Sequence, residues 1–299
     1  MDGPSPAEPE IAPPVVRPIP TARAQSLQPD TGFADSIMSE HAPPPSEPVS
    51  MDPMQIYTYR ELEDIFRDMT PHFEGKESEQ NWIPRDKNTT KLRRITKGNA
   101  PSEFHAVFVA GIKSLLDGII KVATSLRTTM STNGCQLVQE LAKTLGPSID
   151  PWIEVLLQTF IKMCAATKNI AAQNGNTTVE AIISNASYSK RLLEHVLFAS
   201  QDKNVQPRSF SSSWVKALIR KHKSQIEHSG LETVEKILKK GLTDANPKVR
   251  EAYRSTYWTF ALVWPQKAEA YVHIIRIRHP HTDTLIGFST RSRSARRPA

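Results

Sequence analysis

Between residues 57 and 272 the apolar side chains return every three to four positions in one segment after another, and no segment alternates with period two. Leu62, Ile65, Phe66 and Met69 form one stripe. Phe104, Phe108, Ile112, Leu115, Leu116 and Ile119 form a second over four turns, and Ile149, Ile153, Leu156, Leu157, Phe160 and Cys164 a third. Shorter stripes follow at Leu137-Leu141-Leu145, Leu192-Leu193-Val196-Leu197, Trp214-Leu218, Leu231-Val234-Ile237-Leu238 and Val249-Tyr253-Tyr257-Phe260-Trp264. Each gathers its apolar residues on one face of a helix and leaves the other to water. The expected fold class is all-α.

Local signals divide the helices. Gly98-Asn99-Ala100-Pro101, Leu145-Gly146-Pro147 and Ser229-Gly230 read as stops. Asp150-Pro151 and Asn246-Pro247 set a capping side chain before a proline at the first helical position, and Thr177 with Glu180 and Ser229 with Glu232 have capping-box spacing. The helices pair, with pairs starting near 57, 102, 148, 188 and 230. Intervals of that size match the two-helix HEAT and armadillo range of about 40 to 47 residues. Each pair has too little core to stand alone, so neighbours stack into an α-α superhelix with two long edges of turns. Periodicity alone leaves an irregular all-α domain as the alternative.

Proline and charge set the boundaries. Thirteen of the 23 prolines lie in residues 1–53, together with eight acidic residues, two Arg and no Lys. Such a segment buries too little apolar surface to offset its chain entropy and is expected to be disordered. Residues 273–299 hold six Arg and one Asp, ending in Arg291-Ser-Arg-Ser-Ala-Arg-Arg-Pro298, which reads as a disordered basic tail. The folded domain is then 57–272. Cys135 and Cys164, the only two cysteines, cannot staple a secreted scaffold, and no apolar run reaches the roughly 18 to 20 residues of a membrane span. The expectation is a soluble intracellular chain with no membrane partner.

Motifs for chemistry are scarce. There is no phosphate-cradling or dinucleotide-binding glycine loop, no nucleophile elbow, no H-E-x-x-H, no C-x-x-C and no EF-hand loop. No enzyme, no metal and no small-molecule cofactor are expected. The cysteines sit in apolar helical contexts and read as buried thiols, and His279-Pro280-His281 lacks a third ligand.

The two edges of such an array differ in charge. Turns inside the pairs carry Lys76, Arg85 and Lys87, then Arg127, then Lys168, then Lys203 and Arg208, then Lys248 and Arg250. Turns between pairs, at Gly98–Ser102, Gly146–Ser148, Asn185–Ser187 and His228–Gly230, are nearly neutral, with Lys97 at their border. A linear basic stripe on a rigid array suits a large acidic partner, a protein face or a phosphate backbone. Trp82 stands outside the apolar stripes at the basic edge. It reads either as a staple of the following helix or as an aromatic interface anchor. Trp152, Trp214, Trp258 and Trp264 fit core positions. Nucleic acid is the weaker partner, because no aromatic recurs in the other turns to stack bases.

Phe73-Glu-Gly-Lys-Glu-Ser-Glu-Gln-Asn-Trp-Ile-Pro-Arg85, Ser125-Leu-Arg-Thr-Thr129, Asp202-Lys-Asn-Val-Gln-Pro-Arg208 and Val249-Arg-Glu-Ala-Tyr-Arg-Ser-Thr-Tyr-Trp258 closely resemble the N-terminal domain of the CLASP family of microtubule-associated proteins, in a fungal-looking version. The resemblance spans roughly 57–272 and ends at His273. It implies a TOG domain, a HEAT-type array whose inside-pair turns contact tubulin. It further implies that Trp82, Arg85, Arg127, Lys168, Lys203, Arg208, Lys248 and Arg250 form the tubulin-binding set, and that Tyr57–Met69 is a helix packed over the tubulin-facing side. The implied role is to stabilise microtubules in the mitotic spindle and at plus ends, in the cytoplasm, with the nucleus as a further compartment. The family's S-x-I-P motif is absent, Arg17-Pro-Ile-Pro20 lacking the serine. The alternative function is a HEAT-type adaptor for another acidic protein or RNA.

Overall fold

The computed structural model describes residues 51–276, with side chains described to residue 272. The segment up to residue 50, the tail beyond Arg276 and the His279–His281 pair lie outside the described residues. The described chain forms five antiparallel helical pairs: α1 (Tyr59–Phe73) with α2 (Trp82–Lys97), α4 (His105–Ala123) with α5 (Thr128–Leu145), α6 (Ile153–Met163) with α7 (Asn169–Asn185), α8 (Lys190–Ala199) with α9 (Val205–Ser229), and α10 (Leu231–Leu242) with α11 (Pro247–Val263). A short α3 (Ala100–Glu103) and a 3-10 segment (Gly146–Trp152) lead into the second and third pairs. α12 (Pro265–Arg276) follows the fifth and runs past the boundary expected at 272. No strand occurs among the described residues.

Second helices stack on second helices, α2 on α5, α5 on α7, α7 on α9 and α9 on α11, while α1 stacks on α4 and α6 on α8. The stripes read from the sequence face inward and join in one continuous core, from Ile56 to Ala268. Polar ties across the stack repeat at about one repeat's separation. Trp214 Nε1 donates to Asn176 Oδ1 at 2.9 Å, Gln139 Nε2 to Thr178 Oγ1 at 3.1 Å, and Thr256 Oγ1 to the Ser212 carbonyl at 2.9 Å.

Small residues set how closely the helices of a pair approach. Gly134 in α5 and Gly175 in α7 are both the seventh residue of their helices. A Cβ on Gly134 would lie 2.6 Å from the Ala123 nitrogen, and one on Gly175 would lie 2.9 Å from the Phe160 carbonyl oxygen. In the fifth pair the relation is inverted: Tyr253 fills the seventh position of α11, and its ring lies where a Cβ on Gly241 would stand, 2.2 Å away.

Several local expectations are corrected. α1 is the first helix of the first pair, packed on α4 and α2, not a separate helix over the turn edge. Thr177 lies inside α7 and donates to the Gln173 carbonyl, the usual fate of a mid-helix threonine, so it starts nothing. Ser229 ends α9 and donates to the Gln225 carbonyl, leaving α10 without a side-chain cap. Asp150 sits in the 3-10 segment and accepts from the Ser187 amide, tying two between-pair connections together. Asn246 does cap its helix, accepting from the Lys248 amide, and Thr58, Ser189 and Asn204 act likewise. Trp152, Trp214 and Trp264 are buried, but Trp258 is 39% exposed, on the side of α11 away from the core.

Candidate functional site: the edge of within-pair turns

Five turns, 74–81, 124–127, 164–168, 200–204 and 243–246, lie at one edge because successive helices alternate direction. In the first, Gly75 at φ 68 reverses the chain. Asn81 accepts from the Ser78 amide and donates to the Lys76 carbonyl, closing the loop on itself.

The arginines of this edge hold it together. Arg85 is 1% exposed. Its Nε donates to the His72 carbonyl at 2.8 Å and its Nη2 to the Glu74 carbonyl at 2.5 Å, satisfying carbonyls at the end of α1. It is therefore withdrawn from the expected contact set. Arg127 spans two turns, with Nε 3.0 Å from Glu77, Nη2 2.5 Å from Glu79 and the guanidinium 5.1 Å from the centroid of the Trp82 ring. Trp82, the first residue of α2, is half-buried against the core, so both roles considered for it converge on a ring already partly covered.

Arg208 joins the fourth and fifth turns. Nε and Nη2 reach the two Asp244 oxygens at 2.9 and 3.2 Å, while Nη1 donates to the Asp202 and Lys203 carbonyls. Arg250 donates to the Asp244 and Ala245 carbonyls. Burial alone would raise the Asp244 carboxyl. Hydrogen bonds from Arg208 and the Asn246 amide, with the charges of Arg208 and Arg250, hold it below the usual carboxylate value.

The lysines behave differently. Lys76, Lys87, Lys168, Lys203 and Lys248 are exposed and have no ion pair among the described residues, where the paired lysines are Lys97, Lys121 and Lys267. The division follows from chemistry, since a five-donor planar fork satisfies several carbonyls or a carboxylate at once, and an ammonium stays hydrated. The first turn is also less basic than its cations suggest, because Glu74, Glu77 and Glu79 share it with Lys76. The opposite edge is not free of charge. Lys97 pairs with Glu140, Arg191 pairs with Glu154, and Lys143 and Lys190 are exposed.

Two sets of edge residues were not foreseen. Exposed large apolar side chains stand at or beside the first four turns: Ile83 (40%), Leu126 (90%), Ile170 (58%) and Phe198 (69%). Cations in the last turn of first helices, Lys162 in α6 and Lys239 with Lys240 in α10, add to the free lysines. The second set had a readable signal, because a cation ending the first helix of a pair must lie near the turn that follows. The apolar set had a weaker one, large side chains that fall off the stripes.

Among the described residues no group of three or more His, Cys, Asp or Glu is arranged to hold a metal, and no helix is long and apolar enough to cross a membrane. Both thiols are buried and pushed up to about 12 by desolvation, with Cys135 adding to the effect on Cys164.

A stacked array of helical pairs, tied at its turns and presenting lysines and apolar side chains along one edge, defines a helical-repeat array of the HEAT and TOG type. The chain belongs to the CLASP N terminal family, whose model matches residues 62–281 and so continues past the end placed at His273. Protein STU1 of Phaeosphaeria nodorum is 72% identical over 255 residues, covering 85% of this chain and 20% of that protein. Protein STU1 of Coccidioides immitis is 53% identical over 248 residues, covering 80% and 20%. The chain thus spans about one fifth of the length of these relatives. A solved structure reported as "Structural Basis of Microtubule Plus End Tracking by XMAP215, CLIP-170 and EB1" has the same fold, with a TM-score of 0.57 at 18% identity, covering 77% of this chain and 89% of that one.

Proposed function

We propose that this array binds tubulin through its within-pair turns and, through that contact, promotes microtubule stability at plus ends and in the mitotic spindle. The observation that carries the reading is the composition of the edge. Exposed Ile83, Leu126, Ile170 and Phe198 stand at the first four turns of one edge, and Lys168, Lys203 and Lys248, which have no ion pair among the described residues, at its third to fifth turns. Apolar contact area with cations interspersed suits an acidic protein surface, whereas three of these four side chains are aliphatic and leave Phe198 as the single exposed ring among them on which a nucleic-acid base could stack. Family membership, and a fold shared with a protein studied for microtubule plus-end tracking, point the same way. The role is binding rather than catalytic, and any change in nucleotide turnover would arise in the tubulin.

The test is a size shift of unassembled tubulin with the full chain, alongside copelleting with polymer and competition by RNA. Binding to tubulin that excess RNA fails to displace supports the reading. Displacement by RNA, or no shift, points to the adaptor.

A further inference from the structure

The first-layer helices do not stack evenly. α4 and α6 barely touch, although their second-layer partners α5 and α7 pack closely. Part of the cause is length: α4 has 19 residues and α6 only 11. The gap opens at the turn edge as a groove of about 1010 Å³ between the second and third turns. The other neighbouring turns are tied by side chains. Arg127 joins the second to the first, Asn204 Nδ2 donates to the Ala165 carbonyl from fourth to third, and Arg208 joins fourth to fifth.

The groove has a definite chemistry. Ile120, Leu126, Met163 and Ile170 supply large apolar side chains, and Leu126 and Ile170 stand in water. Lys162 and Lys168 supply positive charge with no ion pair among the described residues, and none of the described residues lining it is a carboxylate. Its volume is at the top of the range of about 300 to 1,000 Å³ typical of ligand pockets, room for a short peptide segment rather than one side chain. We infer that this groove receives a segment of the tubulin surface that presents apolar side chains flanked by carboxylates, and that it is the desolvated anchor of the interface while the outlying lysines steer the approach. The inference rests on the reading of the edge as a tubulin-binding face. Charge complementarity selects the occupant, because an apolar floor under two free lysines favours an acid-flanked apolar segment over a basic or wholly polar one.

The experiment uses the full chain and unassembled tubulin, with affinity measured at low and at moderate salt. Leu126→Ser and Ile170→Ser remove apolar contact without changing charge, at exposed positions where the fold loses little. Combined, they are expected to weaken binding about tenfold at both salt concentrations, as loss of a desolvated anchor does, whereas Lys203→Glu is expected to weaken it most at low salt. Hydrogen exchange of the wild-type chain is expected to slow in 120–131 and 159–174 when tubulin is added. If the Ser pair binds within twofold of wild type while Lys203→Glu still weakens binding, the groove is not the anchor and the edge reading survives. If neither change has an effect, both fall. Protection of those segments by concentrating the chain alone would make a second copy the occupant and overturn the inference.

Discussion

The guanidinium of Arg127 lies 5.1 Å from the centroid of the Trp82 ring while the same group bridges Glu77 and Glu79. One side chain thus joins the first and second turns and covers the aromatic residue that opens α2. Cation–π contact of this kind contributes about 0.5 to 2 kcal/mol depending on exposure.

Trp82→Ala is therefore expected to cost stability as well as binding. Half-buried packing and the Arg127 contact together suggest a loss of about 2 kcal/mol, which for a domain of this size lowers the melting temperature by roughly 4 to 8 °C. Trp82→Phe keeps most of the packing and should recover most of the melt. An unchanged melt for Trp82→Ala, measured by circular dichroism, would mean that the ring packs on nothing.

Asp244→Asn makes the edge more positive and is nonetheless expected to weaken tubulin binding. The Asp244 side chain is only 6% exposed and receives both arms of the Arg208 fork, so neutralising it loosens the fourth and fifth turns that display Lys203 and Lys248. Breaking a buried pair costs roughly 3 to 5 kcal/mol when one partner is removed, and Asn, which keeps one acceptor, should cost less. Because the folded carboxyl is held below its unfolded value of about 4, the stabilisation is present above that pH and is lost as pH falls through the lower folded value. Acid melts of the wild type and the variant should converge below pH 4. Tighter binding by the variant would show that net charge alone governs the edge.

His222 gives a second pH dependence, of separate origin. It is buried at a kink in α9, where φ −120 and ψ 30 interrupt the helix, with the Tyr188 ring 5.8 Å away. Burial, and then the charge of Lys221, press its pKa below the ordinary histidine value, against a hydrogen bond with the Ala186 carbonyl. A depressed folded pKa means that the unfolded chain takes up the proton first, near pH 6.5, so stability is full above that pH and declines as pH falls toward the folded value. Denaturant melts between pH 7.5 and 5 should show the decline, and His222→Gln should remove the part of the slope in that window. A slope unchanged by the substitution would assign it to other groups.

Gly134→Leu probes the close approach of α4 and α5. A Cβ there meets Ala123 backbone at 2.6 Å, so the larger side chain must push the helices apart, and overpacking of this kind costs about 1 to 3 kcal/mol or more. A melt lowered by less than a degree would show that the pair relaxes freely.

The pairs were legible in the sequence because burial writes its own period: Phe108, Ile112, Leu115 and Ile119 occur where one helix face must be apolar, and all four are buried. Caps were less legible. Thr177 and Ser229 can bond a carbonyl four residues back as readily as cap a helix, and both do. The edge was half legible. Counting cations found it, but whether a cation is free depends on partners a repeat away, as Asp244 is from Arg208, and no local spacing encodes that. Leu126 and Ile170 escaped for the same reason, since an aliphatic residue in a turn, or at the second position of the helix that follows it, looks alike whether it is exposed or folded under.

The edge itself is tested by charge reversal at the lysines the structure leaves unpaired. Lys168→Glu, Lys203→Glu and Lys248→Glu change exposed side chains with no ion pair among the described residues, so none should unfold the array. Each is expected to weaken tubulin binding by about three- to tenfold, and the triple change nearly to abolish it, if they face one acidic surface. The control is Lys190→Glu, the same charge change at the first residue of α8 on the opposite edge, where a carboxylate at a helix N-terminus is favourable to stability. Long-range attraction follows net charge and would be reduced alike by reversal at either edge, whereas a docked interface suffers only from the turns it contacts. A difference between the edges that persists at moderate salt, with slower association and faster dissociation, supports docking. Equal losses at both edges that vanish together as salt rises would leave only nonspecific attraction to an acidic polymer.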